Sequence, residues 1–423
     1  MKSVFTSFIL LAVSISLNAQ YYFPPTTGNQ WDTVSPASLG WCVAELDTLS
    51  AYLDSRHSKS FIILHKGKIA FERYYNGHDG QTSWYWASAG KSLTAVLIGM
   101  AQQQNLLDIN DKASDYLGNG WTVAPSTKED LITIRHKMQM TTGLDFNVPN
   151  QNCLDDTCLN YLHDAGSHWY YYNAPYRLLQ DVVAAASGKN YNVYTSQSLA
   201  STTGITGLWI NYVFYSKARN MARFGLLNLN KGVWDGTPIL NDTAYFKAMV
   251  SPSQTHNPAY GYLWWLNGGS FFKQPGFEIT FPGQIIPIAP ADLYMAAGAN
   301  DQRIYVVPSL DLVVVRQGNE AYTQQAALSQ FDPELWSLLM NVVCTPVGLG
   351  EEDAVDFKIY PNPVEDRLHF SKPITEETRI FGMDGKEVFN WNKTDEKKLD
   401  VSKLANGPYT LKYGSRSFTF IKR

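Results

Sequence analysis

Trp86-Ala87-Ser88-Ala89-Gly90-Lys91-Ser92-Leu93-Thr94-Ala95, running on into Val96-Leu97-Ile98-Gly99-Met100, is the stretch on which both fold and chemistry turn. The residues after Ser88 are small or aliphatic almost all round, the composition of a buried helix. Lys91 stands three positions after Ser88, so both side chains share one helix face. Burial strips the amine of water and lowers its pKa towards values at which it accepts a proton. Unsatisfied N–H groups at the helix start would face an oxyanion developing at Ser88. The spacing predicts Ser88 as nucleophile and Lys91 as its base. Ser270-Phe271-Phe272-Lys273 repeats the spacing, but between Gly268-Gly269 and Pro275-Gly276 it reads as a strand or hairpin.

The 423 residues carry 34 Lys and Arg against 38 Asp and Glu and are 45% hydrophobic, a balance suited to one large domain and a small one. No basic patch or arm is present, so nucleic acid is not expected as a partner. The 12 Trp, 25 Tyr and 20 Phe suit sugar- or peptide-like ligands or a rigid extracellular fold. Residues 1–19 read as a secretory signal, with Lys2, an apolar core from Phe8 to Val13 too short to span a bilayer, and small and polar residues up to Ala19. No cysteine follows the expected cut before Gln20, which argues against lipid anchoring there. Cys42, Cys153, Cys158 and Cys344 would then meet an oxidising compartment, where an even number predicts disulfides. They lack CxxC spacing and paired histidines, so neither a metal nor a cofactor is expected.

Apolar spacing predicts a helix from Pro36 to Ser55, strands at Ser60–Leu64 and Lys68–Tyr75, and a mainly helical stretch from Leu106 to Met249. Strand patterns return at Phe271–Thr280, Leu293–Ala297, Ile304–Pro308 and Leu312–Arg316. A last helix covers Pro333–Val343 with Asp332 as N-cap. The expected fold class is α/β (α+β): an antiparallel sheet flanked by helices, with a helical subdomain and a small C-terminal β-sandwich.

A Ser–Lys pair needs a group to relay a proton to the leaving group. Tyr171-Tyr172-Asn173 would present a phenol and an amide on one side of an extended backbone. Tyr74-Tyr75-Asn76, the second copy, ends a strand and reads as structural. With these residues the chain resembles the class C β-lactamase-like serine hydrolases over about Ile62–Cys344, nearest the 6-aminohexanoate-dimer hydrolase and family VIII-type esterase branch. The resemblance rests on Trp86–Ser92, Ile132-Thr133-Ile134-Arg135-His136, Met140-Thr141-Thr142-Gly143-Leu144, Tyr171–Asn173, Tyr260–Trp265 and Ala296-Ala297-Gly298. It implies Tyr171 as proton relay, Asn173 as substrate holder and Gly298 in the third motif. The N–H groups of Ser88 and Ala299 would form the oxyanion hole. The third motif lacks the Lys-Thr-Gly of penicillin-recognising members, so the cation for a β-lactam carboxylate is missing. Arg303 is the basic residue that would replace it. Asp301 also stands where a Gly usually precedes Gln302. The expected substrate is a small ester or amide, including peptide-like ones. In the fold so implied the first and last helices lie side by side, which pairs Cys42 with Cys344 and leaves Cys153 with Cys158.

Tyr360-Pro361-Asn362-Pro363, Met383-Asp384-Gly385-Lys386, Leu404-Ala405-Asn406-Gly407-Pro408-Tyr409 and the basic end Lys422-Arg423 resemble the C-terminal sorting domain of type IX secretion substrates. The implied organisation is a signal at 1–19, a hydrolase domain at 20–344, a linker at 345–356 and a sorting domain at 357–423. It would carry the protein through the periplasm to the outside or the cell surface, with the secretion machinery as partner. Three other readings remain: an α/β-hydrolase, whose Gly-x-Ser-x-Gly elbow is half present and whose late histidine would be His256; a non-catalytic or peptidoglycan-binding surface protein on the same fold; and a β-lactamase or D-peptidase. His136 and His168 read as structural, and Trp169, Trp264 and Trp265 as cleft lining or core.

Overall fold

Phe61-Ile62-Ile63-Leu64 and Leu312-Val313-Val314-Val315 are unbroken apolar runs, which suit strands covered on both faces. The computed structural model describes residues 21–322, 328–344 and 359–423 apart from 362, 372, 375–376, 383–386, 392–396 and 414–415, and it sets both runs at the centre of one sheet. The expected signal and linker lie outside the described residues. The elements that frame the site are α1 (Glu45–Ser55), β1 (Ser58–His65), β2 (Lys68–Tyr74), α2 (Gly90–Gln103), α3 (Asn173–Ser187), α4 (Ala218–Leu229), β3 (Trp265–Leu266), β4 (Tyr294–Gly298), β5 (Gln302–Val307), β6 (Leu312–Gly318) and α5 (Phe331–Val343). The strands pair antiparallel in the order β2-β1-β6-β5-β4-β3.

Alternation along β5 assigns the two faces. Arg303 and Tyr305 reach α5, where Arg303 meets Asp332 and the Tyr305 ring meets Trp336 edge-on at 5.5 Å. Ile304 lies against Gly225 of α4 on the other face. Helix α1 lies beside α5, with Tyr52 stacked on Phe331 at 5.9 Å. The Cys42–Cys344 disulfide joins the segment before α1 to the end of α5, and Cys153–Cys158 closes a short loop.

Three expectations are corrected. The helix predicted from Pro36 is broken at Gly40, whose φ of 74° ends a short 3-10 turn, and α1 starts only at Glu45. Asp332 is not an N-cap; α5 begins at Phe331, and the Asp332 carboxylate is turned inward to Arg303 and Tyr305. The helical stretch 106–249 also holds strands Leu208–Ile210 and Val213–Ser216, which pair with each other and, through the second, with Trp84–Tyr85 just before Ser88. Phe271–Thr280 is a hairpin, with Phe271–Lys273 against Thr280–Pro282, so Ser270 opens no helix.

A smaller core in the helical part gathers Ala113, Trp121, Ile132, Leu144, Phe146, Leu159, Tyr172 and Ala174. Beside it, Lys137 is fully buried, with Nζ 3.9 Å from the Trp121 ring centroid and no hydrogen-bond partner among the described residues. Desolvation lowers its pKa to about 7. An unfolded lysine titrates near about 10.4, so between those values the unfolded chain binds more protons and stability climbs with pH. Lys137→Met is expected to raise stability by about 1–3 kcal/mol at neutral pH and to flatten that climb. Thermal unfolding at neutral and alkaline pH tests this; a lower Tm for Lys137→Met at neutral pH would contradict it.

The second compact unit, Gly348–Arg423, has its own core around Val364, Leu368, Phe370, Ile380, Leu411 and Phe420. One sheet holds Ile359–Tyr360, Arg367–Phe370 and Lys398–Asp400; the other holds Glu387–Trp391, Thr378–Phe381, Gly407–Tyr413 and Arg416–Lys422. Gly407 opens a strand rather than a turn, and the turn expected at Asp384-Gly385 lies outside the described residues.

Candidate active site

Ser88 does not sit in α2 itself but on the 3-10 turn Ala87–Ala89 that leads into it. Trp86 anchors the turn: its backbone N–H donates to the Phe214 carbonyl at 2.8 Å and its Nε1 to Ser216 Oγ at 2.8 Å. Ala87 is held at φ 48°, a left-handed conformation that a non-glycine residue adopts only where its surroundings enforce it. Helix α2 is buried from Gly90 to Ala101, while Ser88 keeps part of its surface open.

Lys91 is 4% exposed. Its Nζ lies 2.9 Å from Ser88 Oγ and donates to Asn173 Oδ1 at 2.9 Å. No acidic residue pairs with it among the described residues. Burial, and secondarily the charge of Arg177, lowers its pKa to about 7, so the amine is substantially neutral near neutral pH. The faces of Tyr171 and Tyr176 cover it, with ring centroids 4.9 and 4.3 Å from Nζ.

Tyr171 lies just ahead of α3, and the extended Tyr172 (φ −111°, ψ 123°) leads directly into that helix at Asn173. Burial raises the Tyr171 pKa, against a hydrogen bond with Ser88, so the phenol keeps its proton. The ring stacks on Trp265 at 5.8 Å and meets Tyr260 edge-on at 6.2 Å; Trp169 backs both, at 6.3 and 5.6 Å. Trp264 belongs to the core, stacked on Phe224 at 5.7 Å.

Strand β4 closes the opposite side. It pairs with β3 only through Tyr294 and Met295, so its edge beyond Met295 has no β3 partner. A methyl group added at Gly298 would lie 2.4 Å from the Trp86 carbonyl oxygen, 2.9 Å from Ala89 N and 3.0 Å from Ser88 N. The strand therefore approaches the Ser88 turn as closely as backbone allows. Ala299 follows, partly open. Arg303, expected to meet a substrate carboxylate, is fully buried and ion-paired with Asp332 and Asp301, so it is not free for that role.

The other sequence candidates lie elsewhere. His136 completes a capping box with Thr133, His168 contacts Glu278 at 2.7 Å, and His256 Nε2 lies 3.2 Å from the Gly166 carbonyl. Tyr74 donates to Glu72 and Asn76 to the Ser58 carbonyl. Tyr176 and Arg177 escaped the sequence reading, which quoted Tyr260 within a motif but gave it no place at the site. Tyr176 was within reach, three residues after Asn173 on the same helix face; the contact of Tyr260 with Tyr171 joins distant segments and no local pattern announces it. Among the described residues, no group of His, Cys, Asp and Glu is placed to hold a metal ion.

Residues 47–330 match the Beta-lactamase family, and residues 358–423 match the secretion system C-terminal sorting domain. The latter directs the chain to secretion or the cell surface. No curated protein matches. A protein from Bacillus anthracis provisionally identified as a 6-aminohexanoate-dimer hydrolase is similar in structure, at TM-score 0.56 and 18% identity over 76% of this chain and 89% of its own. A penicillin-binding protein homologue from Caulobacter crescentus is similar at TM-score 0.55 and 12% identity, over 72% and 98%. At such identities the likeness is one of fold, and it agrees with the antiparallel sheet, flanking helices and small C-terminal strand region.

Proposed function

Because the chain belongs to the beta-lactamase family, we propose that it is a secreted serine hydrolase that cleaves small esters or amides through an acyl-enzyme on Ser88. The observation that carries this reading is Lys91 Nζ, desolvated and shared between Ser88 Oγ and Asn173 Oδ1 at 2.9 Å each. A neutral Lys91 takes the Ser88 proton as Oγ attacks the carbonyl carbon. The N–H groups of Ser88 and Ala299 receive the developing oxyanion. Tyr171, still protonated, hands its proton to the leaving oxygen or nitrogen and regains one from Lys91, which holds the proton taken from Ser88. Water then releases the acid by the reverse relay. Asn173 positions Lys91 through Oδ1, which leaves its amide N–H groups for the substrate. The sorting domain at 357–423 takes no part in these steps.

A β-lactam carboxylate finds no cation on β4, where Ala296 stands, and Arg303 on the neighbouring β5 is internally paired. A charge-assisted contact of that kind is worth about 1.5–3 kcal/mol, or roughly ten- to a hundredfold in binding. A fluorophosphonate should label Ser88, p-nitrophenyl acetate and butyrate should turn over, and nitrocefin should be hydrolysed far more slowly than either. Absence of labelling and turnover would favour a non-catalytic binding protein; nitrocefin turnover as fast as the best ester would favour a β-lactamase.

A further inference from the structure

We infer that Arg303, held by Asp332, is a positioning residue that aims the Ala299 N–H at the reacting carbonyl. The inference rests on the serine-hydrolase reading above and concerns how its oxyanion site is kept in place. A trans peptide is planar, so its C=O and N–H point in opposite directions. Gly298 is extended (φ −128°, ψ 158°) and forms the last β4–β5 pair, with Gln302. Its carbonyl oxygen accepts a hydrogen bond from buried Arg303 Nη1 at 2.8 Å. Drawing that carbonyl towards Arg303 turns the Ala299 N–H of the same peptide the other way, to the edge of β4 that β3 leaves unpaired. The Ser88 turn lies against Gly298 there.

The guanidinium is itself fully engaged. Nε donates to Asp332 Oδ1 at 2.6 Å, and Nη2 donates to Asp332 Oδ2 at 2.9 Å and to Asp301 Oδ1 at 3.1 Å. Nη1 contacts the Gln302 carbonyl at 3.1 Å besides that of Gly298. All five donors thus have acceptors, and a planar fork so held cannot rotate. Asp332 is fixed in turn by the Tyr305 hydroxyl at 2.6 Å and the Ser329 N–H at 3.2 Å. The turn beyond Ala299 is held as firmly. Asn300 and Asp301 adopt φ of 58° and 57°, and Arg316 Nη1 donates to both of their carbonyls, at 3.1 and 3.0 Å. Ser329 Oγ and the Ala321 N–H hold the Asp301 carboxylate. Strain kept in place by so many contacts fits a backbone amide that must not move during reaction.

Arg303→Lys separates this role from simple charge balance, because lysine keeps the cation between Asp301 and Asp332 but lacks the fork that reaches Gly298. Asp332→Asn frees the fork while leaving Arg303 in place, and serves if the lysine variant folds poorly. The measurements are burst-phase acylation by p-nitrophenyl butyrate per titrated site, KM, and the Ki of a phenylboronic acid whose tetrahedral adduct occupies the oxyanion site. In folded Arg303→Lys, acylation should fall about 10–100-fold with KM changed less than about threefold, and the boronate Ki should rise by the same factor as acylation falls. Acylation within about threefold of wild type, or a loss of rate with the boronate Ki unchanged, would overturn the inference. Wild-type protein that neither acylates nor binds the boronate would instead overturn the hydrolase reading itself.

Discussion

Replacing Ser88 by alanine is expected to abolish ester hydrolysis, with kcat/KM down by about 10⁴ or more, and Lys91→Met should cost about 10²–10⁴. The first removes the atom that forms the acyl bond. The second removes the only base within hydrogen-bond distance of Ser88 Oγ among the described residues. Methionine fills the same channel without a charge, so the loss is chemical and not one of packing. Lys91→Arg keeps a cation but gives no base at neutral pH, and should be as inactive. The pH profile carries an independent signature. Burial lowers the Lys91 pKa to about 7, so the amine is charged and inert below that value and neutral above it. Acylation should therefore rise through neutral pH to a plateau, with an acid limb near pH 7. The same shift makes Lys91 a burden on the fold. Its stability cost grows as pH falls from about 10 towards 7, and Lys91→Met should be at least as stable as wild type there. A variant that loses activity and gains stability cannot be explained by unfolding. Steady-state kinetics with p-nitrophenyl butyrate and thermal unfolding of the same samples decide it; Lys91→Met within tenfold of wild type would sink the assignment.

Gly298→Ala should damage catalysis far out of proportion to the one methyl group it adds. The added carbon would stand 2.4 Å from the Trp86 carbonyl oxygen and 3.0 Å from Ser88 N. Both neighbours are backbone of the nucleophile turn, so no flexible side chain can swing aside. Either β4 retreats or the Ser88 turn moves, and each separates the two N–H groups that would hold the oxyanion. Loss of one such donor costs about 10²–10³ in kcat, and a displacement of about 1 Å costs a comparable factor. Overpacking adds about 1–3 kcal/mol of instability. The expected result is a folded protein with a Tm lowered by several degrees, kcat reduced about 10²–10³ and KM little changed. Labelling of Ser88 by a fluorophosphonate should slow in proportion. An alanine variant with kcat within threefold of wild type would show that β4 does not complete the site.

Much of this molecule was legible from the order of its residues, because the information was local. Ser88 and Lys91 are three positions apart on a helix start, Tyr171 and Asn173 are two apart in sequence, although Asn173 opens α3 and is not extended as the sequence suggested, and the apolar runs of β1 and β6 have a length and β-branched content that suit buried strands. Cysteine number and the change of texture after residue 344 are likewise readable without coordinates. Arg303 shows where that reading stopped. From sequence it is a cation near the third motif, available to a substrate; in the fold, strand alternation turns it away from the cleft to Asp332, a residue that sequence alone made a helix cap. Tyr260 and Trp265 reach Tyr171 from a segment about ninety residues distant, and Gly298 has no room for a methyl group only because β4 meets the Ser88 turn. Periodicity states which face of an element is apolar, but not what lies across from it. Which partner a buried charge finds, and how close two backbones come, is settled only when distant segments pack, and those contacts decide how the Ser88 site is held.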